Sequence, residues 1–395
     1  MNGSADNRST PRIMLAAGEA SGDMYAAELL DALARRLPDL QAFGLGGARS
    51  RAAGMETIVD MDRVSVMGLA EVVRHYPGLR RAMHEMTDAL EARRPDLLVA
   101  IDFQEFNQRL ARAARARGIP VLFFVAPQVW AWRPNRARHF HEIADHLAVL
   151  FDFEVPLFER HGLPTTHVGH PLIDLIDREA PSRSDARRAL SLDDDAPVIG
   201  LLPGSRRGEI ERLLPVFLQA AERLLAADVR RVFLLPRAGS IDPRWLAARV
   251  DAAAPSPPLR ERLMVVDRGS RRVMAASDAL LVASGTASLE AALIGTPMVI
   301  AYRTSALTHA LARRLVRIEH VGLPNIILGR EVVPERIQHQ ATPGRLAADV
   351  EDVLSPQGNA AQRTALADVR ERLGAGGAFE RLADLAVDMI EEQSD

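Results

Sequence analysis

The stretch "AIDFQEFN" (100–107) places Asp102 directly after an apolar run, with Glu105 and Asn107 close behind. A carboxylate at the carboxyl end of a buried strand is placed to act as a general base, although an Asp there also serves as a helix cap. A second acidic loop, "AGEASGD" (17–23), holds Glu19, Ser21 and Asp23 among Gly18 and Gly22. The glycines let the backbone approach a ligand, and Ser21 or Asp23 can cap the following helix. The carboxylates would repel a pyrophosphate and suit sugar hydroxyls better.

Two further turns have the opposite preference. "LLPGSRRGEI" (201–210) offers backbone access at Gly204, a hydroxyl at Ser205 and the planar fork of Arg206 for a phosphate. In "ASGTASLE" (283–290), Ser284, Gly285 and Thr286 form an anion site at a helix N-terminus. Glu290, one turn into that helix, can accept from ribose hydroxyls. Two phosphate-compatible turns in one half of the chain point to a nucleoside diphosphate.

Two of the chain's three Trp sit in "PQVWAWRPNR" (127–136), just after the apolar run "IPVLFFVA". In an extended segment Trp130 and Trp132 lie on the same side, where a ligand meets the end of a parallel strand. Filling core is the alternative for both rings. Pro127 and Pro134 stiffen the segment, and Arg133 and Arg136 suit an anionic sugar phosphate. In "RVSVMGLAEVVRHYPGLRRAM" (63–83), Val66, Met67 and Leu69 flank Gly68 in a loop-like stretch suited to a membrane surface, with core packing as the alternative.

Other clusters read as structure. His139, His141 and His146 in "HFHEIADH" imitate a metal site, but on a helix positions i and i+2 point apart, which favours a solvated helix. "DMD" (60–62) and "DDD" (193–195) match a short acidic motif of metal-dependent sugar transferases, yet read as turn chemistry. The expectation is chemistry without metal or cofactor.

Composition narrows the field. The chain of 395 residues, 48% hydrophobic and 26% charged, is that of an ordinary globular protein. It contains no Lys and no Cys, which removes lysine Schiff bases, Walker-type loops, disulfides and thiolate chemistry. A net charge of −3 gives no bulk attraction to nucleic acid. The polar leader "MNGSADNRSTPR" lacks the apolar core of a signal peptide, and no apolar run is long enough to span a bilayer. The expected location is cytoplasmic, soluble or peripheral.

The elements that must position these residues alternate. "RIMLAAG", "QAFGLGG", "DLLVAID" and "IPVLFFVA" are strand-like and separated by helical stretches. After the charged segment "DREAPSRSDARRALSLDDDAP" (177–197) the pattern restarts with "VIGLLPGSR", "RVFLLPRAG", "RLMVVD", "ALLVASGT" and "PMVIAY". Continuous apolar runs between helices indicate parallel strands buried on both faces. The expectation is an α/β protein of two Rossmann-like doubly wound domains, 1–175 on the acceptor and membrane side and 176–395 for the nucleotide, facing a central cleft. The last helices are left free to pack back on the first domain.

Taken together, "GEASGD", "VMGLAEV", "IDFQEFN", "APQVWAWRPNR", "VGHPLID", "LLPGSRRGEI", "ASGTASLE", "PMVIAYR" and "LPNIILGREVVPERIQ" resemble the lipid-A-disaccharide synthase family, in order from residue 18 to 338. Gln104 and Glu105 stand where the family more usually has Pro and Asp. The resemblance implies a metal-independent, inverting glycosyltransferase of the GT-B type at the cytoplasmic face of the inner membrane. It would move 2,3-diacylglucosamine from its UDP carrier to 2,3-diacylglucosamine 1-phosphate, forming the β-1,6 disaccharide and UDP. Asp102 is then the expected base. Glu19, Ser21, Asp23, Asn107, Trp130, Trp132 and Arg133 fall on the acceptor side, and the resemblance adds Asn325, Glu335 and Gln338 to the nucleotide side. A homodimer is left open. A UDP-sugar 2-epimerase and a non-catalytic nucleotide-sugar sensor are the competing readings.

Overall fold

The computed structural model describes residues 10–64, 69–127, 134–304 and 320–392, without the side chains of 69–76 and 134–136. It divides into two compact units: Met1–Pro171 together with Gly376–Asp395, and Leu172–Ala375.

The first unit is built on seven parallel strands: β1 (Arg12–Ala17), β2 (Gln41–Gly46), β3 (Glu56–Asp60), β4 (Leu97–Ile101), β5 (Val121–Phe124), β6 (His146–Val149) and β7 (Thr165–His167). Their order across the sheet is 3-2-1-4-5-6-7. The described residues of the second unit form six: β8 (Val198–Leu202), β9 (Val232–Arg237), β10 (Leu263–Asp267), β11 (Ala279–Ala283), β12 (Met298–Tyr302) and β13 (Glu335–Ile337). Their order is 10-9-8-11-12-13, and every pairing is parallel.

Helices of the first unit that flank its sheet are α1 (Ala20–Ala34), α2 (Ala48–Ala52), α3 (Leu69–Arg93), α4 (Gln104–Arg115) and α5 (Val155–Glu159). The second unit continues with α6 (Leu172–Glu179), α7 (Arg183–Ala189), α8 (Arg207–Ala227), α9 (Pro243–Ala252), α10 (Pro257–Arg262), α11 (Ser270–Ala276) and α12 (Thr286–Ile294). It ends with α13 (Leu323–Leu328), α14 (Pro343–Leu354) and α15 (Pro356–Leu373), before α16 (Ala378–Glu391) returns to the first unit.

The central strands are apolar throughout because helices cover both faces of each sheet: β4, β5, β8 and β11 have no exposed residue. In both units the strand order reverses direction beside the first strand, which is the doubly wound Rossmann pattern. That reversal leaves a crevice between the loops after β1 and β4, and another between the loops after β8 and β11, where such sheets bind ligands. α16 packs on α1, with the Tyr25 and Phe379 rings 5.9 Å apart and Asp384 accepting from Arg36 Nε at 2.6 Å. No described helix is long and apolar enough to cross a membrane.

Two local expectations change. The segment Pro134–Glu142 is a 3-10 helix and His146 opens β6, so the three histidines do not share a helix. His139 instead lies 3.2 Å from Glu142. α1 begins at Ala20, so Ser21 and Asp23 fall inside its first turn and neither caps it; Glu19 occupies the N-cap, and its side chain makes no capping hydrogen bond. Among the described residues, no group of three or more His, Cys, Asp or Glu is arranged to hold a metal ion.

Candidate active site

In the second unit, the loops at the carboxyl ends of β8, β9, β10 and β11 enclose a pocket of about 760 Å³. Gly204, Ser205, Arg206, Ser284, Gly285, Thr286 and Glu290 all line it. Its volume lies within the range of small-molecule sites.

Local chemistry shapes the first wall. Gly204 has φ +122°, and a Cβ there would lie 2.5 Å from Glu209 Oε2, so only glycine fits. Glu209 uses that approach to accept from the backbone N–H groups of Ser205 and Arg206 at 3.2 and 3.3 Å. These amides are therefore occupied by a carboxylate. Among the described residues, the Arg206 guanidinium, 76% exposed, makes only a 3.3 Å contact to the other Glu209 oxygen and stays available at the mouth.

The second wall is the start of α12. Gly285 caps this nine-residue helix, and its first turn carries no acidic side chain, so the helix presents its N-terminal amides and positive dipole end to the pocket. Ser284 differs from expectation: its hydroxyl donates to the Val321 carbonyl at 2.7 Å and so positions the chain rather than pointing to an anion.

The sequence reading missed Arg237 and Arg268. Arg237 lines the pocket but is spent on the Ala238 and Ile241 carbonyls and on Asp267. Arg268, exposed after β10, gives the pocket a second cation at its rim. Its position after a strand's carboxyl end was the available signal.

Asn325, Glu335 and Gln338 do not line this pocket. Asn325 is fully buried; its Oδ1 accepts from the N–H groups of Val332 and Val333, and its Nδ2 donates to the Val333 carbonyl and, at 2.6 Å, to Glu335. Glu335 accepts from the N–H groups of Val321 and Gly322 at 2.8 and 2.9 Å. Gln338 brackets the main chain of Thr304, accepting from its N–H at 3.4 Å and donating to its carbonyl at 3.3 Å. All three hold backbone rather than present groups to the second-unit pocket. Polar residues in an apolar segment are required wherever buried backbone needs partners, and the sequence cannot tell that from ligand contact.

In the first unit, a smaller pocket of about 370 Å³ at the ends of β4, β5 and β6 is lined by Asp102, Gln104, Val125, Phe151 and Glu154 among others. Its backbone is strained: Asp102, Phe103 and Val125 have φ of +48°, +44° and +70°. For a β-branched residue this is a genuine outlier, and such strain clusters at functional sites. Burial pushes the Asp102 carboxyl above its usual range, against weaker opposing hydrogen bonds from the Gln104 amide and the Phe103 N–H. A carboxylate with a raised affinity for protons, facing a cavity, is a competent general base. Next to this pocket, His170 is buried and its pKa is held down to about 3, chiefly by burial, so it is neutral. Its ring lies 5.6 Å from Phe151.

The neighbouring acidic loop divides its labour. Asp23 does not face an acceptor: it is buried and accepts from the N–H groups of Gly47, Arg49 and Ser50 and from the Ser50 hydroxyl, which caps α2. Glu19 and Ser21 are exposed. Gly18 makes room for Phe103, whose ring would lie 2.3 Å from a Cβ at 18, and not for a ligand. Asn107 is fully buried, its amide tied to the carbonyls of Ala16, Ile101 and Asp102. It does not touch an acceptor; it holds the loop that carries Asp102. Trp130, Trp132, Arg133, Val66 and Met67 lie outside the described residues, as does the side chain of Leu69.

The family model for lipid-A-disaccharide synthetase matches residues 13–381. The chain belongs to the lipid-A-disaccharide synthetase family of glycosyltransferases. A lipid-A-disaccharide synthase from Geobacter sulfurreducens is 42% identical over 383 residues, covering 97% of this chain and 98% of its own. Among solved structures, a putative UDP-N-acetylglucosamine 2-epimerase from Listeria monocytogenes superposes with a TM-score of 0.65 at 14% identity, covering 97% of this chain and 98% of its own. A calicheamicin glycosyltransferase superposes with a TM-score of 0.63 at 18% identity, covering 98% of this chain and all of its own. These likenesses give the two-domain Rossmann-like GT-B fold class.

Proposed function

We propose that the protein transfers 2,3-diacylglucosamine from UDP-2,3-diacylglucosamine to 2,3-diacylglucosamine 1-phosphate, giving the β-1,6 disaccharide 1-phosphate and UDP with inversion. The observation that carries this reading is the second-unit pocket, where the Gly204–Arg206 turn, the α12 N-terminus and Glu290 converge. It supplies a cation and helix amides for a diphosphate, and a carboxylate for a ribose.

The chemistry follows from those groups. Asp102 takes the proton of the acceptor's 6-hydroxyl as its oxygen attacks the anomeric carbon opposite the diphosphate. The bond from that carbon to the diphosphate oxygen breaks, and UDP leaves with the electron pair. Arg206, Arg268 and the amides at the start of α12 offset the charge that develops on the leaving group, without a metal ion. Removing one preorganised donor of this kind typically costs about 10²–10³ in rate. Glu19 and Ser21, exposed beside the Asp102 loop, belong to the acceptor side in this reading.

The reaction is to run at the cytoplasmic face of the inner membrane, with the protein peripheral to it. Replacing Val66, Met67 and Leu69 by Ser should release it from vesicles without unfolding it. Unchanged vesicle binding removes that stretch from the account.

The deciding assay is mass spectrometry of disaccharide formed from acylated donor and acceptor in detergent. No product with folded, UDP-binding protein overturns the transferase reading. Epimerised sugar from UDP-N-acetylglucosamine alone would establish the epimerase in its place.

A further inference from the structure

Glu290 is not an isolated carboxylate in the pocket wall. Arg271, in the first turn of α11, donates from Nε to Glu290 Oε2 at 3.2 Å, and its Nη1 pairs with Glu179 at the end of α6. One guanidinium thereby links α6, α11 and α12. The Arg271 and Glu290 side chains are 21% and 19% exposed, so the pair is shielded from solvent and screened less than a surface ion pair. Arg271 does not itself line the pocket, whereas Glu290 does.

This arrangement addresses an electrostatic conflict. Glu290 lies one helical turn beyond Thr286, on the same helix whose N-terminus is offered to a diphosphate. An uncompensated carboxylate there would repel the ligand, and a free Glu side chain would have to be ordered when the ligand binds. Arg271 offsets the charge and fixes the side chain beforehand, occupying one oxygen and leaving Oε1 without a hydrogen bond to any described residue.

Resting on the nucleotide reading of this pocket, we propose that Arg271, held by Glu179, is a positioning residue that presents Glu290 Oε1 to the ribose hydroxyls of a uridine nucleotide. It reaches the nucleotide only through Glu290.

The test is calorimetric titration of the full-length protein with UDP and with 2′-deoxy-UDP. Wild type should prefer UDP. Arg271→Gln should weaken UDP by about 10- to 100-fold, the scale of a lost charge-assisted hydrogen bond, and should erase much of that preference. Glu290→Gln should do the same, and Arg271→Gln should add little in that background. Arg271→Lys should recover part of the preference, because it restores charge without the fork. Glu179→Gln should give a smaller loss of the same kind, and it decides the matter if Arg271→Gln does not fold. Unchanged affinity and preference in Arg271→Gln, or an equal loss with and without Glu290, overturns the proposal. Wild-type protein that fails to bind UDP overturns the nucleotide reading as well, an outcome distinct from UDP binding indifferent to Arg271.

Discussion

The side-chain amide of Asn107 donates to the main-chain carbonyl of Asp102 across 2.8 Å. The same amide reaches the carbonyls of Ala16 and Ile101 at 2.9 and 3.1 Å, so one buried group ties the end of β1, the end of β4 and the strained loop together. Asn107→Ala leaves buried carbonyls without this donor, at about 1–3 kcal/mol for each one left unsatisfied. The expected result is a lower melting temperature together with a fall in kcat and little change in UDP affinity. Asn107→Asp should be worse near neutral pH, where a carboxylate would face three carbonyl oxygens, and should recover on acidification. Thermal melts across pH check both variants.

Asp102→Asn should abolish most turnover, by about 10²–10⁴, while UDP binding is retained. Burial raises the Asp102 pKa, so the folded state holds this proton more tightly than the unfolded chain. The stability this contributes is present at low pH and is lost as pH rises through the raised native pKa. Above that window the ionised carboxylate costs stability, so Asp102→Asn should melt higher than wild type near neutral pH, with the gain vanishing in acid. For the native enzyme, kcat should rise with pH across the same window. A variant that keeps near-normal turnover removes Asp102 from the role of base.

Much of this architecture is legible in the sequence, and the physical reasons are specific. The β1, β4, β5, β8, β9, β11 and β12 runs are continuous and apolar because helices cover both sheet faces, and a strand with no polar face cannot lie with one side in water. The short β6, β7 and β13 are not legible: the three-residue β7 and β13 carry too little pattern, and in β6 the stretch "HFHEIADH" splits between a 3-10 helix and a strand. Gly204, Arg206 and Glu290 line one pocket because a strand–turn–helix grammar, visible in the sequence, places them near a strand's carboxyl end. Asp23, Asn107, Asn325 and Glu335 were misplaced for one shared reason. Each is a polar residue in a motif, and only the fold reveals that its partner is the backbone.

Asp23 should behave as a structural residue with the opposite pH sign to Asp102. Burial alone would raise its pKa, but the Ser50 hydroxyl and the N–H groups of Gly47, Arg49 and Ser50 outweigh it and hold it below the usual range. A depressed pKa contributes stability above the ordinary Asp range, and this is lost as pH falls through the native value. Asp23→Ala should therefore cost about 1–2 kcal/mol at pH 7, the scale of a lost helix cap, and less in acid. UDP affinity should not move. Chemical denaturation at two pH values checks the sign.

Arg206→Ala should separate binding from stability. Its 3.3 Å contact with Glu209 is an exposed surface pair, a type that typically contributes about 0–1 kcal/mol, so the melting temperature should hold. UDP affinity should fall by about 10- to 100-fold through the lost charge-assisted contact, whereas uridine affinity should change little. Equal losses for UDP and uridine would move Arg206 away from the phosphates.

Glu335→Gln tests the clamp at the far side of the β11 loop. The carboxylate accepts from the Val321 and Gly322 N–H groups and from the Asn325 amide, three donors on one side chain. A Gln keeps the shape but points an amide N–H₂ at backbone donors, so at least one of these bonds is lost and the charge with it. Hydrogen bonds to a charged group are worth about 1.5–3 kcal/mol, and in a domain of this size each kcal/mol shifts melting by about 2–4 °C. The melting temperature should therefore drop by several degrees. Because Ser284 Oγ donates to the carbonyl of the same Val321, loosening that residue also loosens the turn that opens α12. UDP affinity should weaken modestly as a consequence, and Ser284→Ala should reproduce that weakening with a smaller loss of stability. Full retention of both melting temperature and UDP affinity in Glu335→Gln would show that this carboxylate does not hold the turn.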